Sequence, residues 1–307
     1  MKSIYTYASG KLLCLLLIVI LSSCSETEKE TASTTLFEKV NNNQTNIHFV
    51  NKVTENLYFN FLNYAYIYNG AGVAVGDINN DGLDDLYFSS NQETNTLYVN
   101  KGDLEFKDIT ISSHTKDDRG WTTGVSMIDI NNDGWLDIYV CKSGSLNNNE
   151  LRKNKLYINQ KDETFKESAA EYGLDHFGFS IQAYFFDYDN DNDLDMYLVN
   201  HRQDFQNNTN IDPRFQDTKE AYNSDQLYRN DGNRFTNVTK AAGIENKAWG
   251  LSASIGDFNN DNLQDIYVAN DFLESDFLYI NQGNGTFKNE ILYYFKHISA
   301  NSMGSDF

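Results

Sequence analysis

The sequence predicts an all-β fold, a β-propeller of four-stranded blades. Three observations predict it. Tyr and Phe number 20 each and hydrophobic residues make up 40% of the chain, with Asn, Asp and Gly between the apolar runs, as in short strands joined by tight turns. Pro occurs once in 307 residues, so the turns fall to Gly, Asn and Asp. One pattern recurs four times, its first aspartates 52, 58 and 70 residues apart. That period suits one blade of four strands. A sandwich would not repeat its loop chemistry so regularly.

Each unit reads the same way. In the first, Val73-Ala74-Val75 forms a strand, an acidic loop follows, and Leu86-Tyr87-Phe88 forms the next strand. Leu97-Tyr98-Val99-Asn100 gives the third, and Phe106 to Thr110 the fourth. The third-strand motif returns as Leu156-Tyr157-Ile158-Asn159, Leu227-Tyr228-Arg229-Asn230 and Leu278-Tyr279-Ile280-Asn281, followed by Phe165, Phe235 and Phe287.

The acidic loops carry the chemistry. Counted from the first aspartate, oxygen side chains stand at positions 1, 3, 5 and 9, and position 7 can offer its backbone carbonyl. The first loop supplies Asp77, Asn79, Asp81, Leu83 and Asp85, and the second Asp129, Asn131, Asp133, Trp135 and Asp137. The third supplies Asp187, Asp189, Asp191, Asp193 and Asp195, and the fourth Asp257, Asn259, Asp261, Leu263 and Asp265. Calcium takes six to eight such oxygens, and converging carboxylates are costly without a cation. Position 6 is Gly82, Gly134, Asn192 and Asn262, the residue types that enter the left-handed region cheaply. Position 12 is Phe88, Val140, Leu198 and Val268, where an EF-hand needs Glu, and position 9 is followed at once by a strand, so these loops join strands and not helices. The third loop, with five aspartates, is expected to bind most tightly. A metal-free Asx-turn hairpin is the alternative reading.

These residues resemble FG-GAP repeats, also called VCBS repeats, the blades of integrin-alpha-type propellers. Tyr68 through Gly82 and the repeated Leu-Tyr-x-Asn…Phe carry the likeness, over about residues 36–307. The closer likeness is to secreted and lipid-anchored bacterial proteins with such a propeller, which often end in an ASPIC/UnbV domain, a segment this sequence lacks. The resemblance implies a seven-bladed ring with calcium in the hairpin between the first two strands of a blade, and no particular reaction. Four units end near residue 295, and Ser302 to Phe307 reads as the first strand of a fifth. Phe37-Glu38-Lys39-Val40 matches the fourth-strand pattern of Phe106-Lys107-Asp108-Ile109. The expectation is a fragment of the ring, truncated at the C-terminus: an open arc of four blades that folds poorly by itself.

The N-terminus reads as an address. Lys2 and Lys11 precede an apolar run, Leu12 to Leu21. It is too short for a bilayer span, which needs roughly 20 residues, and has the form of a signal peptide over residues 1–23. Leu21-Ser22-Ser23-Cys24 resembles the bacterial lipobox, which implies lipid attachment at Cys24; the alternative is an ordinary secretory signal. Residues 24–35 read as an acidic flexible tether, similar to surface-export signals of some Bacteroidetes lipoproteins. Residues 36–307 are the propeller. The expected address is a bacterial cell envelope, lipid-anchored in the outer membrane, with the periplasmic and the external orientation both open. Cys141 is then the single remaining cysteine and reads as a small buried apolar residue.

Charge and motifs narrow the function. Lys and Arg number 24 against 44 Asp and Glu, and loss of residues 1–23 takes the net charge from −20 to −22, which argues against nucleic acid. His48, His114, His176, His201 and His297 share no spacing. No nucleophile elbow, phosphate loop or dinucleotide fingerprint occurs. Residues 201–225, with Pro213 and Arg214, read as a surface loop between the second and third strands of the third unit. Trp121 and Trp249 read as core residues of equivalent strands. The expected function is a calcium-stabilised binding module for a glycan, protein or cell-surface ligand; the alternative is a polysaccharide lyase or hydrolase on the same frame.

Overall fold

The computed structural model describes residues 36–144, 148–202, 224–232, 234–272, 274–299 and 301–306. The signal segment, Cys24, the tether and most of the 201–225 insertion lie outside them. The chain divides into Met1–Asn41 and Asn42–Phe307. In the first unit, residues 36–41 are without regular structure and Leu36 and Phe37 are exposed. Phe37–Val40 therefore forms no strand, contrary to its spacing, because it has no ladder partner among the described residues.

Among the described residues, the second unit holds sixteen strands in four antiparallel sheets, each paired in chain order. The first sheet is β1 (Val73–Gly76), β2 (Asp85–Phe88), β3 (Thr96–Asn100) and β4 (Phe106–Asp108). The second is β5 (Trp121–Ile128), β6 (Asp137–Ser143), β7 (Lys155–Asn159) and β8 (Phe165–Glu167). The third is β9 (Ser180–Phe186), β10 (Asp195–Asn200), β11 (Gln226–Asn230) and β12 (Phe235–Asn237). The fourth is β13 (Gly250–Gly256), β14 (Asp265–Asn270), β15 (Phe277–Asn281) and β16 (Phe287–Asn289). These are the propeller-type blades that the repeat predicts.

The sheets bury their faces against one another. Ala74, Tyr87, Leu97 and Val99 of the first meet Val125, Ile138, Val140 and Tyr157 of the second. Tyr139, Cys141 and Leu156 meet Ala183, Met196 and Leu198, and Tyr197, Val199 and Leu227 meet Ala253, Ile266 and Val268. Cys141 is buried, as its sequence context predicts. Inner strands approach closely: Gly72 N–H donates to Thr123 O at 2.8 Å, and a Cβ on Gly124 would lie 1.8 Å from Gln182 Oε1. Only glycine fits there.

A stretch before β1 crosses the sheet ends opposite the acidic loops. Asn51 Nδ2 donates to Asn91 Oδ1 in the first blade at 2.7 Å. Tyr64 Oη lies 3.3 Å from Ser143 Oγ and from His201 Nε2 in the second and third. Tyr66 O–H donates to Asp271 Oδ2 in the fourth at 3.3 Å. Beneath this strap, Tyr64, Tyr66, Ile67, Trp121, Trp249 and Leu251 form one buried cluster, so both tryptophans are core residues. His201 corrects the surface-loop reading at its first residue, since it is fully buried and bridges to Trp249. At the other end of the chain, Ser302 N–H donates to Asn270 O at 2.9 Å, as Thr122 N–H does to Ser90 O at 3.3 Å. Residues 302–306 thus follow the register of a first strand but form no strand.

Candidate metal loops

Each loop begins and ends on one residue pair across the hairpin: Gly76 with Asp85, Ile128 with Asp137, Phe186 with Asp195, and Gly256 with Asp265. Position 1 organises the turn between them. Asp77 accepts from Asp81 N–H (3.1 Å) and Gly82 N–H (2.8 Å), and Asp129, Asp187 and Asp257 do the same for positions 5 and 6 of their loops. Position 5 accepts from position 7: Asp81 from Leu83, Asp133 from Trp135, Asp191 from Asp193 and Asp261 from Leu263. These contacts need the chain to bend left-handed at position 6. Gly82, Gly134, Asn192 and Asn262 have φ of 86°, 84°, 72° and 67°, as the residue types there predict.

Position 9 is different: it is fully buried in all four loops. Its Oδ2 accepts from position 2, namely Ile78, Ile130, Tyr188 and Phe258. Its Oδ1 accepts from the N–H of the last third-strand residue, Asn100, Asn159, Asn230 and Asn281, at 2.7–2.8 Å. Burial pushes Asp85 up to about 6 and Asp137 and Asp195 up to about 7 against those stabilising bonds, with position 1, 3, 5 or 7 carboxylates adding repulsion. Asp265 is raised for the same reasons. A carboxylate raised by desolvation and like charge is one that a cation would relieve.

The oxygen-only donor set fits a hard divalent cation. Asp187, Asp189 and Asp195 bring carboxylate oxygens within 4.8 Å of one another. Asp193 Oδ1, in the same loop, is buried with no partner, and burial with the neighbouring aspartates pushes that group up to about 6. In the other loops Asn holds position 3 and lowers the negative charge. Asn79 and Asn259 each donate to the position-5 carboxylate, at 3.1 and 2.8 Å. In the second loop Lys161 Nζ lies 3.3 Å from Asp133 Oδ2.

Sequence reasoning registered the third-strand asparagine as a repeat and gave it no role. The structure makes it a latch. Asn159 Nδ2 donates to Leu136 O in its own hairpin (3.0 Å) and to Ile78 O in the preceding blade (2.8 Å). Asn281 does the same to Gln264 O (3.2 Å) and Tyr188 O (2.7 Å). The only signal was its invariable place at the strand end. A second latch holds the far sheet end: Asn154 Nδ2 donates to Tyr139 Oη, and Tyr197 and Tyr267 donate to Asp225 and Asp276.

Comparison with known proteins agrees with this geometry. Residues 77–140 and 218–268 match the FG-GAP-like repeat family. A 69-residue stretch is 39% identical to cartilage acidic protein 1 of Xenopus tropicalis; it covers 22% of this chain and 11% of that protein's length. The matched regions hold the first, second and fourth acidic loops. The chain thus carries FG-GAP-like repeats, folded as four-stranded blades with an acidic hairpin at one end of each.

Proposed function

We propose that this chain is a calcium-stabilised propeller of a cell-envelope lipoprotein, anchored through Cys24, that works as a binding or interaction module for a glycan, protein or cell-surface ligand. The observation that carries the reading is the fourfold acidic hairpin whose ninth carboxylate is buried and held by two backbone N–H groups. Calcium, when bound, supplies the positive charge that the clustered oxygens lack. Positions 1, 3, 5 and 9 would hold it through side chains and position 7 through its carbonyl. Asn100, Asn159, Asn230 and Asn281 orient the ninth carboxylate, and position 6 lets the loop close. The catalytic alternative is weakened because the repeated carboxylates have these structural duties. The blades supply a rigid frame, and binding on such frames falls to loops.

The test is a glycan and surface-polymer array probed with the full chain in calcium and in chelator. Calcium-dependent retention of one polymer class supports the reading. Cleavage of the polymer would replace it with the lyase or hydrolase reading. Absence of any retention, with melting indifferent to calcium, would overturn it.

A further inference from the structure

A second feature stands apart from the acidic loops. The tip of the strap, Asn56 to Asn63, holds no charged residue. Phe59 turns inward, its ring 5.3 Å from Tyr64 and 5.0 Å from Trp121. Its neighbours turn outward: Leu57, Tyr58, Phe61 and Leu62 are 87%, 86%, 56% and 85% exposed. Four such side chains within six residues present on the order of 500 Å² of apolar surface, in the upper half of the range for a monomer's largest patch.

Most of the backbone N–H groups beneath them are bonded within the tip and its flanking residue Glu55. Tyr58 and Phe59 N–H both donate to Asn56 Oδ1 at 2.9 Å. Phe61 N–H donates to Glu55 Oε1 at 2.9 Å and Leu62 N–H to Asn60 Oδ1 at 3.0 Å. Asn56, Asn63 and Tyr64 N–H donate to carbonyls of Phe59 and Asn60. Asn60 Nδ2 donates to Asn56 O at 2.9 Å, and Asn63 Nδ2 to Tyr58 O at 3.3 Å. A loop that docks on a protein normally offers backbone or side-chain hydrogen bonds to its partner. This tip turns most of its N–H groups inward and offers hydrocarbon. That is the arrangement a low-dielectric medium demands, where an unmet polar group is costly.

We propose that residues 56–63 form a membrane-contact tip that seats Leu57, Tyr58, Phe61 and Leu62 in the interfacial layer of a lipid bilayer. The chain's net charge of −20 selects an uncharged or zwitterionic lipid surface over an anionic one. Tyr58 suits the headgroup boundary, with an apolar ring and a polar end. The strap's ties to four blades would fix the frame's orientation on that surface, with the acidic hairpins at the far sheet ends. The inference does not depend on cation binding.

The experiment uses the chain from residue 24 onward, as left by signal removal, with Cys24→Ser and an environment-sensitive fluorophore at Leu62→Cys or, as control, Leu292→Cys. Leu292 is also exposed, at 77%; Cys141 is buried. With phosphatidylcholine vesicles, the label at position 62 should shift to the blue and be quenched by bilayer-embedded quenchers, and the label at 292 should do neither. A Leu57→Ser, Leu62→Ser variant, folded by its melting curve, should float with vesicles at least tenfold less. A label at position 62 that stays in water overturns the proposal. So does a blue shift that rises with protein concentration and without lipid, which would assign the patch to a second copy, or vesicle binding unchanged in the double variant.

Discussion

Asn159→Ala tests whether the third-strand latch ties neighbouring blades. The alanine strands Ile78 O, a buried acceptor in the preceding blade, and removes partners of Leu136 O and Lys161 N, the last held at 2.8 Å by Asn159 Oδ1. An unmet buried carbonyl costs about 1–3 kcal/mol and each less buried bond about 0.5–1 kcal/mol. The sum is about 3 kcal/mol. Asn100→Ala is the internal control. Its side chain bonds Asp84 O and Gly102 N, both within the first blade, and should cost about 1 kcal/mol. At about 2–4 °C per kcal/mol for a domain of this size, melting should fall by about 6–12 °C for Asn159→Ala and about 2–4 °C for Asn100→Ala. Urea unfolding in calcium, followed by circular dichroism, reads both. Equal losses in the two variants would refute the inter-blade role.

Other outcomes follow from the same geometry. Trp135 is the one tryptophan in the acidic loops, so terbium bound in the second loop should give tryptophan-sensitised emission that Trp135→Phe removes and excess calcium displaces. Gly82 has φ of 86° with nothing near a built Cβ, so Gly82→Val should cost about 1–2 kcal/mol from backbone strain alone. Gly82→Asn should stay within about 0.5 kcal/mol of wild type by melting. Burial pushes His201 down to about 4. The unfolded chain takes its proton near pH 6.5, so this group's contribution falls by up to about 3 kcal/mol as pH drops from 6.5 to 4. Measured against His201→Asn, wild type should lose that much across the window. Asp225 runs the other way: burial pushes it up to about 6. Its penalty is relieved as pH falls from 6 to 4, so wild type should gain up to about 3 kcal/mol on Asp225→Asn. A flat difference in either pair would contradict the assigned protonation states.

The blades were legible because strand periodicity and loop chemistry are local and repeat in register. Position 6 was legible because backbone handedness restricts residue type directly. The latch was not, since the acceptor of Asn159 Nδ2 is Ile78 O, 81 residues away. Phe37–Val40 misled because a shared apolar spacing does not supply a ladder partner. His201 opens an insertion, yet it is buried under Tyr64 and Tyr66, a placement no local pattern encodes. The strap lacks any period, so its aromatic residues gave no sign that they join four sheets.

The most direct test of the central claim counts calcium. Equilibrium dialysis of the full chain, with the combined Asp81→Ala, Asp133→Ala, Asp191→Ala and Asp261→Ala variant as control, should find close to four ions per wild-type chain. A calcium-dependent rise in melting temperature should disappear in the variant. A folded chain that binds no calcium, and melts identically in calcium and in chelator, would contradict the account and return the acidic hairpins to metal-free turns.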